Sequence, residues 1–148
     1  MNRLFEGMCV LVVVFILGAT ALAQNVKIVL HAVDGRNGKP IANRHLLVKI
    51  RMSGDAVGGW ANHLDLKTDK DGLAALTISA TDAELIQVWV DALTLCQSDP
   101  NHASFSVSTI ISNGLSAPNN CGPLRLNGTP GHFMFFARPA TLMERMRW

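Results

Sequence analysis

Hydrophobic and polar residues alternate most cleanly between His45 and Met52, where Leu46, Val48, Ile50 and Met52 fall on one side and Lys49 and Arg51 on the other. A period of two predicts a strand with one buried face. Val26 to Val33, rich in β-branched residues, predicts another strand. Between them Asp34-Gly35-Arg36-Asn37-Gly38-Lys39-Pro40 supplies turn chemistry, so the two runs frame an arch or a hairpin. Ser53 to Asn62 carries Gly54, Gly58, Gly59 and Trp60 without an apolar period and reads as a loop. Leu64 and Leu66 then alternate with Asp65 and Lys67, and Asp69-Lys70-Asp71-Gly72 leads into Leu73 to Ile78. The Asp-Gly pair offers the positive-φ position of a tight connection, which predicts a hairpin.

Leu85 to Val90 continues the alternation, with Ile86, Val88 and Val90 set against Gln87 and Trp89. Phe133 to Ala137 has almost no polar relief and predicts a strand buried on both faces. The stretch from Leu93 to Thr129 is the least regular. Within it Ser106 to Gly114 fits a short helical turn near 106–113, with Ser106 as N-cap and Gly114 just past the end; Val107, Ile110 and Ile111 leave a strand as the alternative. Thr141-x-x-Glu144 has the form of a capping box and predicts a short C-terminal helical turn. Its apolar stripe of Leu142, Met143 and Met146 is expected to dock on the domain, since so short a helix is marginal unless packed. Short strands, turns about every ten residues and no long helical period predict a mainly β protein, an Ig-like or transthyretin-like β-sandwich of about seven strands. The chain has no tyrosine, so the tyrosine corner of immunoglobulin domains is missing.

The N-terminus follows a different pattern. Arg3 precedes the apolar run Val10 to Leu17, and small residues ending Ala21-Leu22-Ala23 lead to Gln24. Charge, apolar core and Ala-x-Ala in that order predict a signal peptide over 1–23, too short in its apolar run to span a bilayer. The mature part, 24–148, has the size of a single domain. Arg3 and Glu6 leave together, so the mature chain keeps the net charge of +2 and has no basic block, which argues against nucleic-acid binding. Cys96 and Cys121 would enter an oxidising compartment, where one disulfide is the simplest outcome. The chain is therefore expected to be secreted or periplasmic.

Leu30-His31-Ala32-Val33-Asp34, Gly38-Lys39-Pro40-Ile41-Ala42-Asn43 and Thr68-Asp69-Lys70-Asp71-Gly72 together resemble carboxypeptidase regulatory-like and transthyretin-like domains, over about residues 26–92. The resemblance implies a β-sandwich, and because its motifs are turn motifs it carries no chemistry by itself. The remainder, with Cys96, Ala117-Pro118-Asn119-Asn120-Cys121-Gly122 and Phe135-Phe136-Ala137-Arg138-Pro139, is similar to uncharacterised secreted bacterial proteins with a cysteine-bearing tail.

Candidate chemistry is sparse. The histidines His31, His45, His63, His102 and His132 show no zinc spacing, so no metal or other cofactor is expected. Asp69-x-Asp71-Gly72 resembles the start of a calcium loop, but Ala74 and Ala80 stand where the glycine and the bidentate glutamate are needed. No Gly-x-Ser-x-Gly elbow occurs, and Asp65, Asp69 and Asp71 cluster where solvated acids are ordinary. Trp60 and Trp89 could stack on a sugar or a partner surface, and are otherwise covered by the domain.

The expected function is that of an exported, non-catalytic accessory, binding or structural module. Its partner is an extracytoplasmic protein or a glycan, membrane contact is confined to the C-terminal turn, and the oligomeric state is open. The alternative is a small hydrolase related to the transthyretin-like hydroxyisourate hydrolases. That resemblance implies roles for His31 and His132, but Leu73 stands where the family has its arginine, and the family's C-terminal Tyr-Arg-Gly-Ser is replaced by Met146-Arg147-Trp148.

Overall fold

Strands dominate because β-branched and aromatic residues recur at alternate positions, a pattern that fits a pleated, half-buried surface. The computed structural model describes residues 24–56, 59–60, 62–99 and 103–146; the expected signal peptide over 1–23, His102 and Trp148 lie outside them. Nine strands are described: β1 (Asn25–Asp34), β2 (His45–Met52), β3 (Asn62–Lys67), β4 (Leu73–Ser79), β5 (Ala83–Val90), β6 (Leu93–Leu95), β7 (Phe105–Ser106), β8 (Leu115–Ser116) and β9 (His132–Pro139). Two short helices, α1 (Val107–Asn113) and α2 (Leu142–Arg145), complete the set. The strands form a β-sandwich. One sheet has the order β4-β1-β9-β6, with β8 also paired to β9, and the other has the order β3-β2-β5-β7.

The core lies between the sheets. Ile28, Leu30 and Ala32 of β1, Leu76 and Ile78 of β4, and Phe133 and Phe135 of β9 face Leu46, Val48 and Ile50 of β2 and Ile86, Val88 and Val90 of β5. Each large side chain buried in this way contributes on the order of 1.5–3 kcal/mol. α1 closes one side with Val107 and Ile110, both fully buried. The helical reading of 106–113 is the one adopted: the Ser106 hydroxyl accepts from Thr109 N, and Gly114, at φ 72°, donates its N–H to the Ile110 carbonyl.

β9 is buried on both faces, as its composition predicts. Phe133, Phe135 and Ala137 enter the main core, while Phe136 points out of the sandwich and joins Val33 and Cys96 in a second cluster roofed by Cys121, Leu124 and Leu126. Cys96 and Cys121 form a disulfide with a Cα–Cα distance of 5.3 Å, fixing that roof over one end of the five-stranded sheet.

Two connections are resolved or corrected. β1 and β2 belong to different sheets, so the link between them is an arch. The predicted hairpin from Leu64–Lys67 into Leu73–Ile78 is not one: β3 pairs with β2 and β4 with β1. The turn itself is tight, with Asp69 Oδ1 accepting from Asp71 N at 2.8 Å and Leu73 N at 2.9 Å, and Gly72 at φ 75°. The two arms are nonetheless pulled apart. Gly72 O accepts from Ala32 N at 2.9 Å, drawing the chain onto β1. The buried Thr68 hydroxyl accepts from Arg44 N at 2.9 Å and donates to Ile41 O at 2.8 Å, holding the other arm beside the β1–β2 arch.

Candidate functional site

Three surfaces bear the side chains that the sequence singles out. The first is the outer face of the five-stranded sheet beyond the disulfide roof. Because Leu30 and Ala32 point inward on β1, and Phe133 and Phe135 inward on β9, alternation turns His31 and His132 outward. The parallel register aligns Val29 with His132 and His31 with Met134, so the imidazoles occupy diagonal positions on neighbouring strands. His31 stands directly opposite Leu73 of β4. Burial, and after it the neighbouring His132, hold the His31 imidazole below its ordinary value, with Asp69 acting in the opposite sense. The fold thus collects His31, His132 and Leu73, while His45 and His63 lie on the other sheet. What it builds is a half-buried imidazole facing leucine. The position across from His31 on β4 is Leu73, which brings no charge to a developing anion, and Asp69 is engaged in its own turn.

The second surface is the outer face of the four-stranded sheet. Trp89 of β5 is half-buried beside Leu47, its register partner on β2, and the Lys49 ammonium lies 4.6 Å from the Trp89 ring centroid. This cation–π contact, of about 0.5–1 kcal/mol at an exposed position, occupies one face of the ring that a sugar would otherwise use. Trp60 is half-buried at the end of the glycine-rich loop. Asp65 sits on β3, apart from the turn acids Asp69 and Asp71. Among the described residues, no three His, Cys, Asp or Glu side chains gather closely enough to hold a metal ion.

The third surface is α2. Thr141 and Glu144 form the predicted capping box: Glu144 N donates to the Thr141 hydroxyl at 3.4 Å, and Glu144 Oε2 accepts from Thr141 N at 2.7 Å. The same carboxylate receives a two-pronged ion pair from Arg138 of β9, Nη2 to Oε1 at 2.7 Å and Nη1 to Oε2 at 2.9 Å. The Arg138 hydrogen bonds, then the Thr141 backbone N–H, bring the Glu144 carboxyl down to about 2. This overturns the expected docking of the apolar stripe. With Glu144 turned toward β9, the opposite side of the turn faces solvent, leaving Leu142, Met143 and Met146 exposed at 73%, 69% and 67%. A cleft of about 240 Å³, lined by Asp34, Ile41, Arg44, Leu93 and Arg138 among others, lies beside the Arg138 anchor.

Sequence reasoning found the capping box but missed Arg138 as its anchor. A guanidinium six residues ahead of the glutamate and across a proline follows no local spacing rule, and the only signal was an arginine at the end of an otherwise apolar strand. No protein-family model, curated protein or solved structure matches the chain.

Proposed function

We propose that this chain is an exported, non-catalytic binding module that engages an extracytoplasmic protein through the C-terminal turn. The observation that carries this reading is the outward presentation of Leu142, Met143 and Met146. Single exposed apolar residues are commonplace on protein surfaces. Here three large ones share one turn, and that turn is fixed by a capping box and a bidentate charge pair, among the stronger polar contacts available to a protein surface. Preorganised apolar anchors reduce the ordering cost of association. The signal pattern of residues 1–23 and the Cys96–Cys121 disulfide support export to an oxidising compartment. No helix among the described residues is long and apolar enough to cross a membrane. Affinity capture from the native cell envelope tests the reading. A specific protein should be retained by the mature chain and lost with L142S/M143S/M146S, and capture indifferent to that variant would reject α2 as the contact.

A second reading, the hydroxyisourate hydrolase, draws on one observation: His31 and His132 are neighbours on one sheet face, as the family resemblance implies. Leu73 opposite His31 counts against it, and turnover assays distinguish the two.

A further inference from the structure

β4 is an outer strand of the five-stranded sheet, with β1 on one side and, among the described residues, no strand on the other. Its pairing with β1 determines which of its backbone groups remain open. Gly72 O accepts from Ala32 N, and Ala80 N donates to Gln24 O. The antiparallel register between these points joins Ala74 to Leu30, Leu76 to Ile28 and Ile78 to Val26. Even-numbered residues therefore turn their N–H and C=O groups toward β1, and odd-numbered residues turn theirs away. Leu73 is already served, since its N–H donates to Asp69 Oδ1 at 2.9 Å and its carbonyl accepts from Asp69 N at 2.8 Å. The outward set that remains is Ala75, Thr77 and Ser79.

Folded proteins ordinarily guard such an edge with charge, proline or a bulge. The edge strand of the other sheet does so, because β3 carries Asp65 and Lys67. β4 does not. Its sequence Leu-Ala-Ala-Leu-Thr-Ile-Ser contains no charged residue and no proline, and its register with β1 is unbroken along its length. On the solvent side Ala75 and Thr77 are exposed and small, so neither blocks an approaching strand. On the core side Leu76 and Ile78 are buried right up to the edge.

We propose that β4 pairs with β4 of a second copy of this chain, antiparallel about a two-fold axis through Thr77, joining the two five-stranded sheets into one. A second copy fits this edge because the strand is uncharged and its open set, Ala75, Thr77 and Ser79, meets itself in register. An axis through Thr77 pairs Thr77 with Thr77 and Ala75 with Ser79 of the second copy, so all three outward residues on each strand are satisfied. A neutral strand facing its own copy meets no like-charge repulsion, and a Thr–Thr pair is a favourable cross-strand combination. The surface is separate from α2 and does not rest on the function proposed for it.

Analytical ultracentrifugation of the oxidised mature chain, combined with three single variants, tests the proposal. The wild-type chain is expected to dimerise reversibly. T77K, which opposes two ammonium groups at the axis, should raise the dimer dissociation constant roughly tenfold or more, with the circular dichroism spectrum unchanged to show that the monomer still folds. T77C should form an intermolecular disulfide, because Cα atoms of a hydrogen-bonded antiparallel pair lie about 5.5 Å apart, within disulfide reach. S79C should not, because two such residues lie four positions apart along the paired strands, more than ~7 Å. A chain that stays monomeric to high micromolar concentration overturns the proposal. So does a dimer that persists in T77K, that cross-links through S79C instead of T77C, or that dissociates only when the α2 residues are replaced.

Discussion

Asn119 donates from Nδ2 to the carbonyl of Gly35 at 2.8 Å, joining the disulfide lobe to the end of β1 across 84 residues of sequence. The same buried amide donates to Leu124 O at 3.2 Å and accepts from Cys121 N at 3.0 Å. Gly35 lets the lobe approach, since a Cβ there would sit 2.6 Å from Asn119 Oδ1 and 2.7 Å from Cys96 Sγ. Asn119→Ala leaves three main-chain groups without that partner, one of them buried and two partly buried. An unmet buried polar group costs about 1–3 kcal/mol, so the variant is expected to lose roughly 2–4 kcal/mol in total with the disulfide still formed. Denaturant unfolding reads this as a lower midpoint, and an unchanged midpoint would remove Asn119 from the account.

Thr68 is the corresponding node at the β3–β4 corner. Thr68→Val keeps the shape of the side chain but removes its hydrogen bonds with Arg44 N and Ile41 O. The expected cost is about 1–3 kcal/mol, measured as a lower urea midpoint at constant slope. A variant as stable as the parent would mean that Thr68 does not hold the corner open.

The Glu144 latch is expected to respond to acid and not to physiological pH. Its carboxyl is lowered from 4.5 to about 2 in the folded chain, so the contribution it makes is fully present above about 4.5 and is lost as pH falls through about 2. Methyl NMR of Met143 and Met146 should therefore show a fixed turn at neutral pH that loosens only toward pH 2, whereas Glu144→Gln should loosen it at pH 7. Identical methyl spectra for Glu144→Gln and the parent at pH 7 would show that the ion pair does not fix the turn.

Much of this fold is legible in the sequence because its signals are local. The alternation of Leu46, Val48 and Ile50, the two-faced apolar run of β9, the Ser106 cap and the Thr141–Glu144 box each depend on residues a few positions apart, and the structure adopts them all. Misreadings arose where distant partners decide. Asp69 to Gly72 has hairpin chemistry, yet its flanks are claimed by Ala32 N, 40 residues before Gly72, and Ile41 O, 27 residues before Thr68. The direction of the apolar stripe on α2 is decided by Arg138 on another element. At the candidate site, the sequence could point to His31, His132 and Leu73 only through resemblance. Their meeting on one face is a matter of strand order and register, which no window of sequence contains.

Hydroxyisourate should not be turned over by the purified, oxidised mature chain. Leu73 offers no charge where a developing anion beside His31 needs one, and a missing contact of that kind costs about 3 kcal/mol of barrier. Loss of the ultraviolet signal of the substrate should match the uncatalysed rate, with His31→Ala as control. An enzymatic rate that disappears in His31→Ala would reverse the choice between the two readings.

Co-sedimentation of the mature chain with fragments of its own cell envelope tests the central claim most directly. The parent chain should be retained saturably, and retention should be lost on treating the fragments with protease, because the proposed partner is a protein. L142S/M143S/M146S should stay in the supernatant, with a nearly unchanged melting temperature because the three side chains are largely exposed. Retention of the triple variant equal to that of the parent, or retention that survives protease, would contradict the claim that α2 is the binding surface for an extracytoplasmic protein.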